Sequence, residues 1–154
     1  MKKNLNYIQV SNFTTESGYY YPEFELSYQV FGQTINTAPA VLVNHALTGN
    51  SNVAGKDGWW NSLIGPGKAI DTGYYSIIAF NVPGNGYDEK PENLIDNFED
   101  FTARDVAILY GRALERLGVT RLFAAIGGSV GGGIVWELAF AYPDLIQNLI
   151  PVAS

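Results

Sequence analysis

Gly127-Gly128-Ser129-Val130-Gly131 reads G-x-S-x-G, set between an apolar run and a helical pattern. A serine in that setting can act as a nucleophile in acyl transfer or ester hydrolysis. Three physical points carry the reading. A turn this sharp forces Ser129 into a strained backbone conformation. Flanking glycines let neighbouring backbone approach without a Cβ clash. The serine oxygen then stands clear of the sheet at the positive end of a helix, where the amide of Val130 can face a developing oxyanion. A glycine-rich turn with an incidental serine is the alternative, and the strand–turn–helix context favours the nucleophile.

A second segment fits the first. His45-Ala46-Leu47-Thr48-Gly49 directly follows the apolar run Ala40-Val41-Leu42-Val43. In such a site the loop after that strand supplies the second oxyanion donor, and its position points to the amide of Leu47. His45 is the only histidine in the chain. It lies in the oxyanion loop rather than where a base would stand, and it reads as a structural histidine hydrogen-bonded inside its loop. The absence of cysteine removes disulfides, thiolate metal sites and a cysteine nucleophile. Two competing glycine motifs fail. Gly67-Lys68 is followed by Ala69 and preceded by Ser62 where a phosphate-binding loop needs glycine, and neither Gly65/Gly67 nor Gly131/Gly133 completes G-x-G-x-x-G.

The elements that must position Ser129 and Leu47 are readable. Ala40–Val43, Ser76–Phe80, Leu122–Ile126 and Leu149–Val152 are short apolar runs typical of strands buried on both faces. From Glu23 to Val30, Phe24, Leu26, Tyr28 and Val30 alternate with Glu23, Glu25, Ser27 and Gln29, which predicts a half-buried strand with its polar set outward. Tyr7, Ile8 and Val10 suggest a partner for it. A helix is expected from Thr102, with Asp105 at capping-box spacing and Gly118 as its stop. A second runs from about Gly131 to Tyr142, ended by Pro143, and a short one carries Trp59, Trp60 and Leu63. Strands alternating with helices mean a mostly parallel sheet with crossover helices, here with an antiparallel edge.

The chain has 154 residues, the length of one domain, and 47% hydrophobic residues, enough for a core. Its net charge of -6, without a Lys/Arg run, speaks against nucleic acid or an anionic membrane as partner. The stretch Leu122–Tyr142 holds one charge, Glu137, but its clustered glycines read as strand, turn and helix rather than a membrane span. Met1-Lys2-Lys3 is not followed by an apolar region, so no signal peptide is expected and a cytoplasmic location is. The acidic segment Asp88–Glu92 reads as solvated surface.

Larger pieces resemble the N-terminal part of the homoserine O-acetyltransferase family. They are Asn44–Gly49, Gly58–Thr72 with its Trp59-Trp60 and Gly65-Pro66-Gly67-Lys68, Phe80-Asn81-Val82, Thr102–Val106, Gly127–Gly132, Tyr142-Pro143-Asp144 and Val152-Ala153-Ser154. The resemblance implies the N-terminal half of an α/β-hydrolase fold, one partial domain over residues 1–154. It implies ping-pong transfer of acetyl from acetyl-CoA through Ser129 to homoserine, in methionine biosynthesis, with Leu47 and Val130 amides as the oxyanion hole. Acetyl-CoA is then a co-substrate, with no bound cofactor or metal, and a homodimer is possible for a full-length chain. Pro83–Asp88 departs from the Gly-rich Ser-Thr-Gly-Pro type of stretch of better-known members. A related esterase, another acyl or succinyl transferase, and a non-catalytic fragment or pseudoenzyme remain the alternatives. No histidine follows Ser129, and Asp144 reads as a capping or surface residue. The triad Asp and His and the helical lid are therefore expected outside these residues, the chain looks truncated, and little activity is expected of it alone.

Overall fold

A computed structural model describes residues 4–154; Met1-Lys2-Lys3, on which the signal-peptide expectation rests, lies outside the described residues. In chain order the strands are β1 (Asn6–Thr14), β2 (Tyr20–Gly32), β3 (Ala40–Asn44), β4 (Ile64–Gly65), β5 (Ile70–Asp71), β6 (Ser76–Phe80), β7 (Leu122–Gly128) and β8 (Ile146–Val152). The α-helices are α1 (Ala103–Arg116) and α2 (Val130–Ala141). Six strands form one sheet in the order β1-β2-β6-β3-β7-β8, and β4 and β5 pair separately. β1 and β2 form an antiparallel hairpin and β2 joins β6 antiparallel; β6, β3, β7 and β8 run parallel. This is the mostly parallel sheet with an antiparallel edge that the pattern predicts.

Alternation on the central strands divides the core into two layers. Leu42, Ile78, Phe80 and Ala125 pack with α1 and α2 through Leu109, Tyr110, Leu114, Ile134 and Leu138. Val41, Val43, Ile77, Ala79 and Ile126 face the other way, against Val53, Ala54 and Ile64 of the long connection from β3 to β6. Both faces of β3 and β6 are thus dry, which is why these strands read as continuous apolar runs.

α1 begins as its sequence directs. Thr102 is its N-cap: the Asp105 amide donates to the threonine hydroxyl oxygen and the Asp105 carboxylate accepts from the Thr102 amide, a complete capping box. Gly118 follows the end of the helix at φ +72°. α2 ends at Ala141, just before Pro143.

Three expectations need correction, and a fourth, the surface reading of the acidic segment, gains a detail. Ser27 and Gln29 are buried rather than outward, because polar groups cover them: Ser51 of the β3–β6 connection bonds Gln29, and Asn81, just after β6, bonds Ser27. Trp59, Trp60 and Leu63 lie in turns, not a helix. The Trp59 and Trp60 amides donate to the Asn52 and Val53 carbonyls (3.1 and 3.2 Å), so tertiary pairing takes the donors a helix would use. The run Leu149–Val152 belongs to β8, which has one strand neighbour and is half exposed, with Ile150 and Val152 open to solvent. In the acidic loop Lys90 pairs with Glu25 of β2 and lies 3.7 Å from the Tyr7 ring centre, so this loop is anchored to the hairpin. Among the described residues no helix is long and apolar enough to cross a membrane.

Candidate active site

β7 delivers the chain to Ser129 and α2 carries it away, with no residue between them except Ser129 itself. The price in backbone conformation is visible: Ser129 has φ +53° and ψ -122°, a region that costs a non-glycine residue about 1–3 kcal/mol. Its amide donates to the Val152 carbonyl of β8 (2.9 Å), and its own carbonyl accepts from the amides of Gly132 and Gly133 (2.8 and 3.1 Å). The surrounding bonds over-determine the strained residue. The Ser129 side chain is exposed and makes no capping bond to α2, so its oxygen is not consumed by the helix terminus.

The glycines explain how the turn closes. A Cβ on Gly127 would lie 2.2 Å from the Gly131 carbonyl oxygen, and one on Gly131 would lie 2.5 Å from the His45 carbonyl oxygen and 2.6 Å from that of Asn44. The first turn of α2 therefore packs directly on the backbone where β3 becomes the loop carrying Leu47. β3 and β7 are in register at this level, with Asn44 opposite Gly127. The sequence placed Ser129 and Leu47 on separate segments 82 positions apart (129 less 47). The fold brings those segments to the same end of adjacent parallel strands.

Leu47 and Val130 line one cleft of about 660 Å³, together with Val82, Phe98, Phe101 and Ile134. Leu47 is 67% exposed, so its side chain is not what holds the loop. Glu99 is the only charged side chain in the lining among the described residues, and the rest is largely apolar. A pocket of this kind suits a mostly neutral ligand, and Val130 of its lining is the residue next to Ser129.

His45 is 1% exposed, and both of its ring nitrogens are engaged. The Val82 amide donates to Nε2 (3.0 Å), which fixes that nitrogen as the acceptor. Nδ1 then carries the proton and donates to the Ala46 carbonyl (2.6 Å). Burial pushes the imidazole pKa below its usual value, partly offset by the Ala46 carbonyl. A neutral ring with no free lone pair cannot accept a substrate proton, so His45 is the structural histidine its place in the loop suggests. Asp144 is exposed beyond the far end of α2. A 12-residue helix puts roughly 18 Å of axis between it and Ser129, too far to orient a base beside the serine. Among the described residues no group of three or more metal-ligating side chains occurs.

Sequence reasoning missed Asn81, whose side chain ties the loop after β3 to β2. The signals were a polar residue just after the apolar run Ser76–Phe80 and the place of Phe80-Asn81-Val82 among the resembling pieces, neither of which shows what its side chain bonds.

The chain belongs to the α/β hydrolase fold family, whose sequence profile matches residues 39–154. Within it the similarity is particular. The homoserine O-acetyltransferase of Haloarcula marismortui is 37% identical over an alignment covering 100% of this chain and 42% of that protein. The crystal structure of a homoserine O-acetyltransferase from Bacillus anthracis superposes with a TM-score of 0.81 at 27% identity, covering 95% of this chain and 45% of that one. An acetylester hydrolase from Corynebacterium glutamicum gives 0.79 at 26%, covering 96% and 43%. The chain thus spans less than half the length of these relatives.

Proposed function

We propose that this chain carries the nucleophile and oxyanion hole of an acyltransferase that moves acetyl from acetyl-CoA to the hydroxyl of homoserine, and that Ser129 is the nucleophile. The observation that carries the reading is the strained Ser129 at the N-terminus of α2, beside a cleft lined by both Leu47 and Val130. Similarity to homoserine O-acetyltransferases over the whole chain supports the substrates.

In this mechanism Ser129 Oγ bonds to the acetyl carbonyl carbon while its proton passes to a base. The tetrahedral oxyanion accepts from the Leu47 and Val130 amides. It collapses with loss of the CoA thiolate, which takes up the proton. Homoserine's hydroxyl then attacks the acetyl-serine carbonyl carbon and gives its proton to the base; the same donors hold the second intermediate, which collapses by breaking the bond to Ser129 Oγ, the serine taking back the proton as O-acetylhomoserine leaves. Each such donor is worth about 3 kcal/mol of barrier. The positive end of α2 adds to this field, and the cleft's apolar wall strengthens it by excluding water.

The base is not His45, whose lone pair is spent on Val82. It and its orienting carboxylate come from outside the 154 residues, as do the lid and remaining strands of the single domain to which this chain belongs. A related esterase is the second reading, favoured by the likeness to the acetylester hydrolase.

A chimera in which this chain replaces the matched segment of the Haloarcula marismortui protein separates the readings. Acetyl-CoA-dependent formation of O-acetylhomoserine, lost in Ser129→Ala, is the expected result. Hydrolysis of p-nitrophenyl acetate without transfer to homoserine would favour the esterase. Turnover that survives Ser129→Ala would overturn both.

A further inference from the structure

The loop that presents Leu47 is held from outside, through its residues His45 and Ser51 rather than through Leu47. Leu47 is largely exposed, and no strand or helix contains any residue from His45 to Leu63. What holds the loop is a set of neutral polar groups, four of them almost fully buried: Ser27, Gln29, Ser51 and Asn81 are 5%, 6%, 0% and 3% exposed. Asn81, the first residue after β6, is the hub. Its Oδ1 accepts from the Ser51 amide (2.8 Å) and from Asn85 Nδ2 (3.3 Å), and its Nδ2 donates to Ser27 Oγ of β2 (2.9 Å). Its backbone amide donates to the Ser27 carbonyl (2.9 Å), so Asn81 is itself pinned to the sheet. The Ser51 hydroxyl donates to Gln29 Oε1 (2.8 Å). The neighbouring Val82 amide makes the bond to His45 Nε2 described above.

Residues 81 and 82 therefore grip the loop on both sides of Leu47, at Ser51 through the Asn81 side chain and at His45 through the Val82 amide. Buried amides and hydroxyls are costly unless satisfied, so a satisfied network of them fixes one arrangement more sharply than an apolar contact would. The network is also uncharged, so it adds no opposing field beside a developing oxyanion. Oxyanion donors act through placement fixed before the reaction, and displacement of about 1 Å can cost about a hundredfold in rate.

We propose that Asn81 is a positioning residue that holds the 45–51 loop so that the Leu47 amide faces the Ser129 site. The proposal rests on the acyl-transfer reading for its catalytic consequence, and on the hydrogen bonds alone for its structural one. Asn81→Ala removes the hub. Asn81→Asp keeps an acceptor for the Ser51 amide, for Asn85 and for the Ser27 hydroxyl, which can turn to donate.

The test reads amide exchange and imidazole nitrogen shifts of the 154-residue chain by NMR, and acylation by p-nitrophenyl acetate in the chimera that completes the chain, with the Ser129→Ala rate of that chimera subtracted. In Asn81→Ala the Ser51 and Val82 amides should lose protection about tenfold or more while Leu42 and Ile126 keep theirs. The single imidazole should leave its fixed Nδ1–H form. The Ser129-dependent acylation rate should fall about tenfold or more with unchanged KM for the ester. Asn81→Asp, which keeps the acceptors, should restore the protection of Ser51 and Val82, while the carboxylate it buries beside the developing oxyanion should leave acylation below the parent rate. The proposal is overturned if Asn81→Ala leaves Ser51 and Val82 protected, if protection falls uniformly over the sheet, or if the loop loosens with no change in Ser129-dependent acylation. If Ser129→Ala is acylated as fast as the parent, the acyl-transfer reading fails instead, and the exchange data still decide whether Asn81 holds the loop.

Discussion

Two glycines in the first turn and a half of α2 should respond in opposite directions to the same substitution. A Cβ on Gly131 meets backbone on the β3 side, 2.5 Å from the His45 carbonyl oxygen, 2.6 Å from that of Asn44 and 2.9 Å from the Asn44 carbonyl carbon. These atoms belong to the end of a buried strand and cannot swing aside as a side chain could. Two residues on, a Cβ on Gly133 meets nothing within 4 Å. Replacing a helical glycine by alanine gains about 1 kcal/mol from propensity alone, and Gly133→Ala should show that gain. Gly131→Ala has the same gain set against overpacking of about 3 kcal/mol, taken at the high end because the obstacle is backbone, for a net loss of about 2. The two variants should therefore differ by about 3 kcal/mol, which for a chain of this length separates their thermal midpoints by roughly 6–12 °C. Urea denaturation gives the same quantity at constant temperature. Gly131→Ala should also slow acylation of Ser129, since the helix must move away from the loop that carries Leu47. Equal stabilities, or a more stable Gly131→Ala, would refute the packing of α2 on the end of β3.

Other consequences are accessible to the same methods. Ser129→Gly relieves the positive φ and should stabilise the chain by about 1–2 kcal/mol while abolishing acylation, a stability gain at the cost of function. Because the folded His45 pKa lies below its unfolded value of about 6.5, the unfolded chain binds a proton that the native chain refuses. That contribution to stability is complete above about pH 6.5 and is lost as pH falls from there through the lower folded value. His45→Gln, measured against the parent by denaturation across this range, should flatten the slope; equal slopes would mean that the ring is not held neutral. Thr102→Ala should cost about 1 kcal/mol through loss of the α1 capping box, read as an earlier urea midpoint with unchanged slope.

Much of this architecture was legible because each central strand is dry on both faces and each helix carries its own start and stop. The apolar runs at Ala40–Val43 and Ser76–Phe80 could be little other than buried strands, and Thr102 with Asp105 marks the start of α1 from local hydrogen bonding alone. Gly127 to Gly131 announced the sharp turn, since a side chain at either end would meet backbone. What was not legible depended on distant partners. Ser27 and Gln29 look like the wet face of a hairpin until Asn81, just after β6, and Ser51 of the β3–β6 connection cover them. The tryptophan pair looks helical until its amides are taken by Asn52 and Val53. Asn81 gives almost no signal of its own, because its role consists of bonds to Ser27 and Ser51, 54 and 30 positions away. Leu47 was reachable only through the position of its loop, since an oxyanion donor is a backbone amide and leaves no mark on residue type.

The central claim is that Ser129 carries the acyl group. The most direct test is to incubate the chimera that completes this chain with acetyl-CoA in the absence of homoserine, quench it in acid, and map the acetylated peptide by mass spectrometry. The account predicts one acetyl group on the peptide that spans β7 and α2, assigned to Ser129, discharged on addition of homoserine and absent in Ser129→Ala. Turnover that proceeds with no acetyl on Ser129, or with a transferable acetyl group on another residue, would contradict it.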